Sequence, residues 1–323
     1  MEKTLAPAKV HKRRKRLNRA NVIDSLELYV LLILPMVMLF FLSYKPWPGI
    51  LIAWQDYKLG RPFFGEKVTW VGWKHFKNFI EGMYFERLMG NTLRLSIKNL
   101  VYTFPIPIAF ALLLNEIKHM KTKKVIQTIS YLPHFISLVV VAGMVLSFVE
   151  QNGLVNQIIK LFGGRGNTAW INKADAFDAI YLTTLVWISF GFESILYMSA
   201  ISGIDQELYE AARLDGASRW QQCIYITLPG ILPTISICLI MGLGGILGAN
   251  TDLILNLFTN ANAKKSDVIG TYVYRMGLGA GGDAGMPRYS FGQAISLFTS
   301  VINITMLFIA NKISNLLTGN GLW

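Results

Sequence analysis

Five stretches of this 323-residue chain run for 17 residues or more without a charged side chain, and a sixth is interrupted by a single carboxylate. A helix needs about 20 mostly apolar residues to cross a bilayer, with roughly 17 as the lower limit. The uncharged windows are Leu28–Tyr44, Asn99–Asn115, Val125–Val149, Gln222–Thr251 and Tyr289–Asn311, and the sixth candidate, Ala179–Ser202, contains only Glu193. The second can reach back to Asn91 if Arg94 and Lys98 extend their charged ends to the membrane surface. Composition agrees: 53% of residues are apolar and 15% charged, against roughly 25% charged in an ordinary soluble domain. The expected fold class is an all-α polytopic membrane protein with six transmembrane helices.

Orientation follows from the basic residues. The first 27 residues hold eight Lys/Arg, clustered in His11-Lys12-Arg13-Arg14-Lys15-Arg16. Such a run suits nucleic acid or anionic lipid, but its place just before the first apolar span makes it a positive-inside signal. No small-residue cleavage pattern follows the span, which leads instead into Lys45-Pro46-Trp47-Pro48, so an uncleaved helix is expected. With the N-terminus cytoplasmic, inside segments carry 15 Lys/Arg in 72 residues and outside segments 14 in 117. The net charge of +12 then reads as topology plus loop surface, with no nucleic-acid partner and with membrane lipid as the surrounding medium. Trp47, Trp54, Trp70 and Trp73 in the first outside loop are interfacial anchors. The glycine-rich segment 275–288 is expected to be a flexible external loop.

Little in the sequence suggests catalysis. His11, His75, His119 and His134 are scattered and make no metal spacing. No phosphate-binding Gly-Lys pair occurs, and neither a G-x-S-x-G elbow nor an H-E-x-x-H helix is present. Cys223 and Cys238 lie in or beside one apolar stretch and read as small apolar fillers.

The most informative segment runs from Ile204 to Pro233, between the fourth and fifth windows. Asp205 is placed to cap a helix, and Glu207 in the first turn favours the helix dipole. Glu210 and Arg213 stand three apart, and Asp215 and Arg219 four apart, so each pair can meet on a helical surface. Ala211 and Ala212 form a low-relief patch that another protein can approach closely. Gly216 suits the left-handed position that ends the helix. A second helix from about Ser218 should bend at Pro229 into the next span. On these grounds alone, a helical hairpin lying at the membrane surface and a docking element remain equally open.

Glu210-Ala211-Ala212, Gly216, Ile226 and Leu228-Pro229, at these spacings, resemble the EAA loop of binding-protein-dependent ABC importer permeases. Asn303, the C-terminal Gly321-Leu322-Trp323, and the segments Ser266-Asp267-Val268 and Tyr272-Val273-Tyr274-Arg275 are similar to the sugar-permease branch that handles oligosaccharides. The resemblance implies a type I importer permease in the bacterial cell membrane, with both termini cytoplasmic. Residues 1–27 and 312–323 would be cytoplasmic tails, 28–44 an added first helix, 45–90 an external loop and 91–311 a five-helix core. That core would carry a coupling loop at 204–229, in which Glu210 is the polar anchor, Ala211 and Ala212 the packing face and Gly216 the turn, with Asp215 beside it. The implied partners are a second homologous permease, two ABC ATPase subunits and an external solute-binding protein. This chain would bind no cofactor; ATP and Mg would sit on the ATPase subunits. Other solutes, such as a peptide or polyol, remain open, as does an ATP-independent channel or facilitator.

A charged side chain within a span is costly and faces a cavity or a partner. Glu193, with Trp187 and Tyr197 on the same window, is therefore a candidate for the solute path, an ion pair or a structural hydrogen bond. Asn250 and Asn303 are further path candidates, although polar residues in spans also serve to join helices. Gly244 and Gly248 form a small-xxx-small pair suited to close helix packing.

Overall fold

In a computed structural model the protein is described over residues 19–279, 286–319 and 321–322, and most of the basic tail therefore lies outside the described residues. The chain divides into two compact units, 1–51 and 52–323. In the first, α1 (Arg19–Leu39) continues through a wide turn at Phe40–Tyr44. Every described side chain from Leu28 to Pro48 is exposed, which suits a helix that is apolar on all faces and meets hydrocarbon.

The second unit is helical apart from one isolated bridge between Gln55 and Trp70 among the described residues. It begins with α2 (Lys74–Ile80), α3 (Phe85–Thr103) and α4 (Pro105–Asn115). Pro105 occupies the first position of α4, where its missing N–H costs no helical hydrogen bond. Next come α5 (Met120–Tyr131), α6 (Leu138–Val149), α7 (Leu154–Leu161) and α8 (Ala174–Ser202). The chain then forms α9 (Gln206–Leu214), α10 (Arg219–Gln222), α11 (Leu228–Gly230) and α12 (Leu232–Gly244). It closes with α13 (Thr251–Leu257), α14 (Ala263–Ser266), α15 (Ile269–Leu278) and α16 (Tyr289–Thr318).

The centre of this unit is α8, which packs on α3, α4 and α5. Its buried positions Phe177, Tyr181, Thr184, Ile188, Gly191, Ser194, Tyr197 and Ile201 recur every three or four residues and trace one helical stripe. Phe177 and Tyr181 join Leu95, Leu253 and Leu257 in the largest apolar cluster. At its other end, α8 contributes Tyr197 and Ile201 to a cluster with Ala111 and Ile231. A Cβ on Gly191 would lie 2.1 Å from the Ser130 carbonyl oxygen, so hydrogen alone allows α5 and α8 to approach this closely.

Among the described residues five helical segments are long and apolar enough to cross a membrane: Leu28–Trp54, Phe85–Asn115, Leu138–Leu161, Ala174–Ser202 and Tyr289–Leu316. A sixth candidate consists of Arg219–Gly230 and Leu232–Gly244, bent by 57°.

In some of the uncharged windows the backbone breaks at Pro or Gly, whereas Pro35 in α1 and Gly191 in α8 leave their helices continuous. The window 125–149 is split by a tight turn at Leu132–Phe135 that contains Pro133. The window 222–251 ends its helix at Gly244 and starts another at Thr251. Its bend falls at Ile231 rather than at Pro229, because Pro229 and Pro233 each take an early helical position on either side. Gly244 packs on Leu307 of α16, whereas Gly248 lies beyond the helix end, so the two do not form a common packing face. Arg275 belongs to α15 rather than to a loop, while residues 280–285 of the glycine-rich segment lie outside the described residues.

Arg94 and Lys98 both pair with Asp178 on α8, at 3.2 and 2.6 Å, the second a hydrogen bond that Lys98 donates. Asp267 forms a second such centre. Its buried carboxylate pairs with Arg87 at 2.9 Å and Arg275 at 2.7 Å and accepts from Thr271 Oγ1 at 2.8 Å. Asn91 Nδ2 donates to the Asp267 carbonyl oxygen at 2.9 Å. These bonds tie α3 to α15 and pin the chain between α14 and α15.

Candidate coupling and translocation sites

The segment after α8 builds a short, projecting helix from local signals. Gly203 ends α8, and Asp205 Oδ1 accepts from the Glu207 N–H at 3.0 Å, capping α9. Gly216 leaves α9 at φ +80°, with nothing within 4 Å of where a Cβ would stand. Its requirement is therefore conformational rather than steric. Ser218 and Gln221 then form a reciprocal capping box that starts α10. The predicted ion pairs do not form. Among the described residues no salt bridge joins Glu210 to Arg213, and Arg219 reaches Glu116 at 3.3 Å instead of Asp215.

Among the described residues of α9, Tyr209 alone is buried. Glu210, Ala211, Asp215 and Gly216 are exposed and Ala212 is half-buried. They share this surface with Leu214, 90% exposed, and Trp220, 72% exposed. Ile226 and Leu228 are half-buried and Pro229 is exposed. The result is an exposed surface on a helix with little cover of its own, where apolar groups stand beside Glu207, Glu210 and Asp215, none of which forms a salt bridge among the described residues. Such a patch suits a protein partner.

A second feature lies between α3, α8 and α12. A half-open cavity of ≈ 830 Å³ is lined by residues including Asn99, Thr103, Phe192, Glu193, Tyr197 and Met241. It brings Glu193 and Tyr197 together. His134, in the break between α5 and α6, stacks on Phe192 with centroids 3.9 Å apart and planes 2° from parallel. Mixed hydroxyl, amide, carboxylate and aromatic groups in one cleft can hydrogen-bond and stack on a polyhydroxylated solute.

The other path candidates lie elsewhere. Trp187 lines a different depression, with Lys98, Asp178 and Phe190. Asn250 caps α13 by accepting from the Leu253 N–H at 3.0 Å, and its own N–H donates to the Tyr181 hydroxyl at 3.1 Å. Asn303 Oδ1 accepts from the Leu247 N–H at 3.0 Å, satisfying backbone freed where the fifth span breaks. The sequence assigns no path role to Asn99, Thr103, His134 or Phe192, whose polar or aromatic character is ordinary until the fold brings them together. No group of three or more His, Cys, Asp or Glu among the described residues is placed to hold a metal ion.

A polytopic helical bundle with a short exposed helix after α8 and a cleft between its helices has the construction of a transport permease. Residues 103–318 match the family described as the binding-protein-dependent transport system inner membrane component, and the chain belongs to that family as a multi-pass permease subunit. It is 36% identical over 298 residues to Protein LplB of Bacillus subtilis, covering 92% of this chain and 91% of that one. It is 37% identical over 316 residues to the polygalacturonan/rhamnogalacturonan transport system permease protein YteP of Bacillus subtilis, covering 96% and 94%. A crystal structure of a bacterial alginate ABC transporter, in complex with its alginate pentasaccharide-bound periplasmic protein, contains a chain of similar fold. The TM-score is 0.81 and the identity 35%, over 94% of this chain and 99% of that one.

Proposed function

We propose that this chain forms half of the translocation path of an ATP-driven importer for oligosaccharides released from a polysaccharide. Its cofactor-free membrane part pairs with a second permease and works with two ATPase subunits that hold ATP and Mg. An external binding protein delivers the solute. The N- and C-termini and α9 face the cytoplasm; the loops around α2, α7 and α15 face outward.

The observation that carries the reading is the exposed face of α9, where Glu210, Ala211 and Leu214 stand uncovered at the position of the coupling motif. Closure of the ATPase subunits displaces α9 and swings the permease halves, and the loaded binding protein favours the same outward-open state. ATP and solute reinforce one another only because each binds that state more tightly. Glu193, Tyr197 and Asn99 are the groups proposed to meet the solute. The oligosaccharide assignment rests on the permeases YteP and LplB and on the alginate transporter.

The test is ATP hydrolysis by the reconstituted complex, with and without loaded binding protein. Glu210→Ala and Gly216→Val should abolish the stimulation while leaving membrane insertion intact. Gly216→Asn should retain part of it, because Asn tolerates the left-handed backbone. Full stimulation in Glu210→Ala and Gly216→Val would refute the coupling role.

A further inference from the structure

A helix that receives force must pass it on, and α9 has few means of doing so. Both chain connections contain glycine, Gly203 before it and Gly216 after it. Ile204 packs against the cluster around Ile231 and so anchors the entry to the loop, not α9 itself. Arg219 bonds Glu116 at the end of α4, but both side chains are about half exposed, at 55% and 43%. Such a pair contributes little and is screened by salt. What remains is Tyr209. Its hydroxyl lies 2.9 Å from Thr227 Oγ1 in a buried hydrogen bond spanning 18 residues. No other side-chain hydrogen bond among the described residues joins α9 to a later helix.

Thr227 is well placed to receive that force. It ends the wide turn at Cys223–Thr227, immediately before α11, and its carbonyl oxygen accepts from the Ile231 N–H at 3.1 Å, at the bend into α12. Thr227 Oγ1 also donates to the Gln222 carbonyl oxygen at 3.4 Å, tying both ends of the turn. Beyond the bend, Ile237, Cys238 and Met241 of α12 form one wall of the Glu193 cavity. A continuous line of packed and hydrogen-bonded groups thus runs from α9 to the cavity wall.

We propose that the Tyr209–Thr227 hydrogen bond is the strut through which displacement of α9 moves α12, making both positioning residues for transport. This rests on the coupling reading of α9 but is separable from it.

The measurement is solute imported per ATP hydrolysed by the full complex in proteoliposomes, alongside the thermal stability of the purified complex. Tyr209→Phe keeps the ring and removes the hydroxyl; it should lower the import ratio about fivefold, the order expected from one buried hydrogen bond. Thr227→Ser should behave as wild type. Thr227→Val leaves the Tyr209 hydroxyl buried without its partner and should also destabilise the complex. The double variant Tyr209→Phe/Thr227→Val should recover the stability but not the import ratio. A wild-type import ratio in Tyr209→Phe, or its recovery in the double variant, would overturn the strut. If Glu210→Ala and Gly216→Val also leave stimulation intact, the coupling reading itself fails; if they abolish it, only the strut does.

Discussion

Asp267 shows how one carboxylate sets local structure in a chain with few charges. Its side chain is 2% exposed and answers two guanidiniums and a hydroxyl. Breaking a buried pair from one side leaves an uncompensated charge, at a cost of about 3–5 kcal/mol. Asp267→Ala should approach the lower figure, because Arg87 is partly exposed and can turn to water. The check is the denaturation midpoint of the purified permease in detergent. Asp267 stood in a segment noted only for its resemblance to sugar permeases; Thr271 and Arg275 follow within eight residues, but its second guanidinium, Arg87, lies 180 residues away. Asp178 escaped notice for the same reason: its partners are on another helix. The Asp205 cap and the left-handed Gly216 were legible because the chemistry of each is complete within a few neighbouring residues. For the cavity beside α8 only Glu193 and Tyr197 were legible, as unusual groups in an apolar window.

At the scale of elements, hydrophobic windows located the spans but not their breaks. A charge-free run records what lipid tolerates, whereas helix continuity depends on backbone N–H groups that Pro lacks and on rigidity that Gly weakens. The window containing Pro133 was accordingly read as continuous where the structure is broken; in the fifth window a bend was expected at Pro229 but falls at Ile231, and the helix end at Gly244 was missed. The freed backbone groups then need partners inside the protein, which is the part Asn303 plays for Leu247. Close packing makes its own prediction at Gly191. Valine there would drive its Cβ into the Ser130 carbonyl, 2.1 Å away, and nothing flexible lies between them. Overpacking costs about 1–3 kcal/mol where side chains can adjust. A backbone clash should exceed that, so Gly191→Val should sharply reduce the amount of folded permease in membranes, as judged by size-exclusion profiles in mild detergent. A normal profile would mean that α5 and α8 can separate without loss.

For the whole molecule, the proposed coupling role requires α9 and the external loops to lie on opposite sides of the membrane. The net charge of +12 is consistent with this through its dense N-terminal cluster, but charge density alone gives only a twofold bias. The sharper test places a photo-crosslinking amino acid at one of two highly exposed positions in the assembled transporter. Leu214, 90% exposed on α9, should capture the ATPase subunit. Phe162, 87% exposed just after α7, should not. Capture at 214 with none at 162 is the predicted result; no capture at 214, or ATPase captured at 162, would contradict the account.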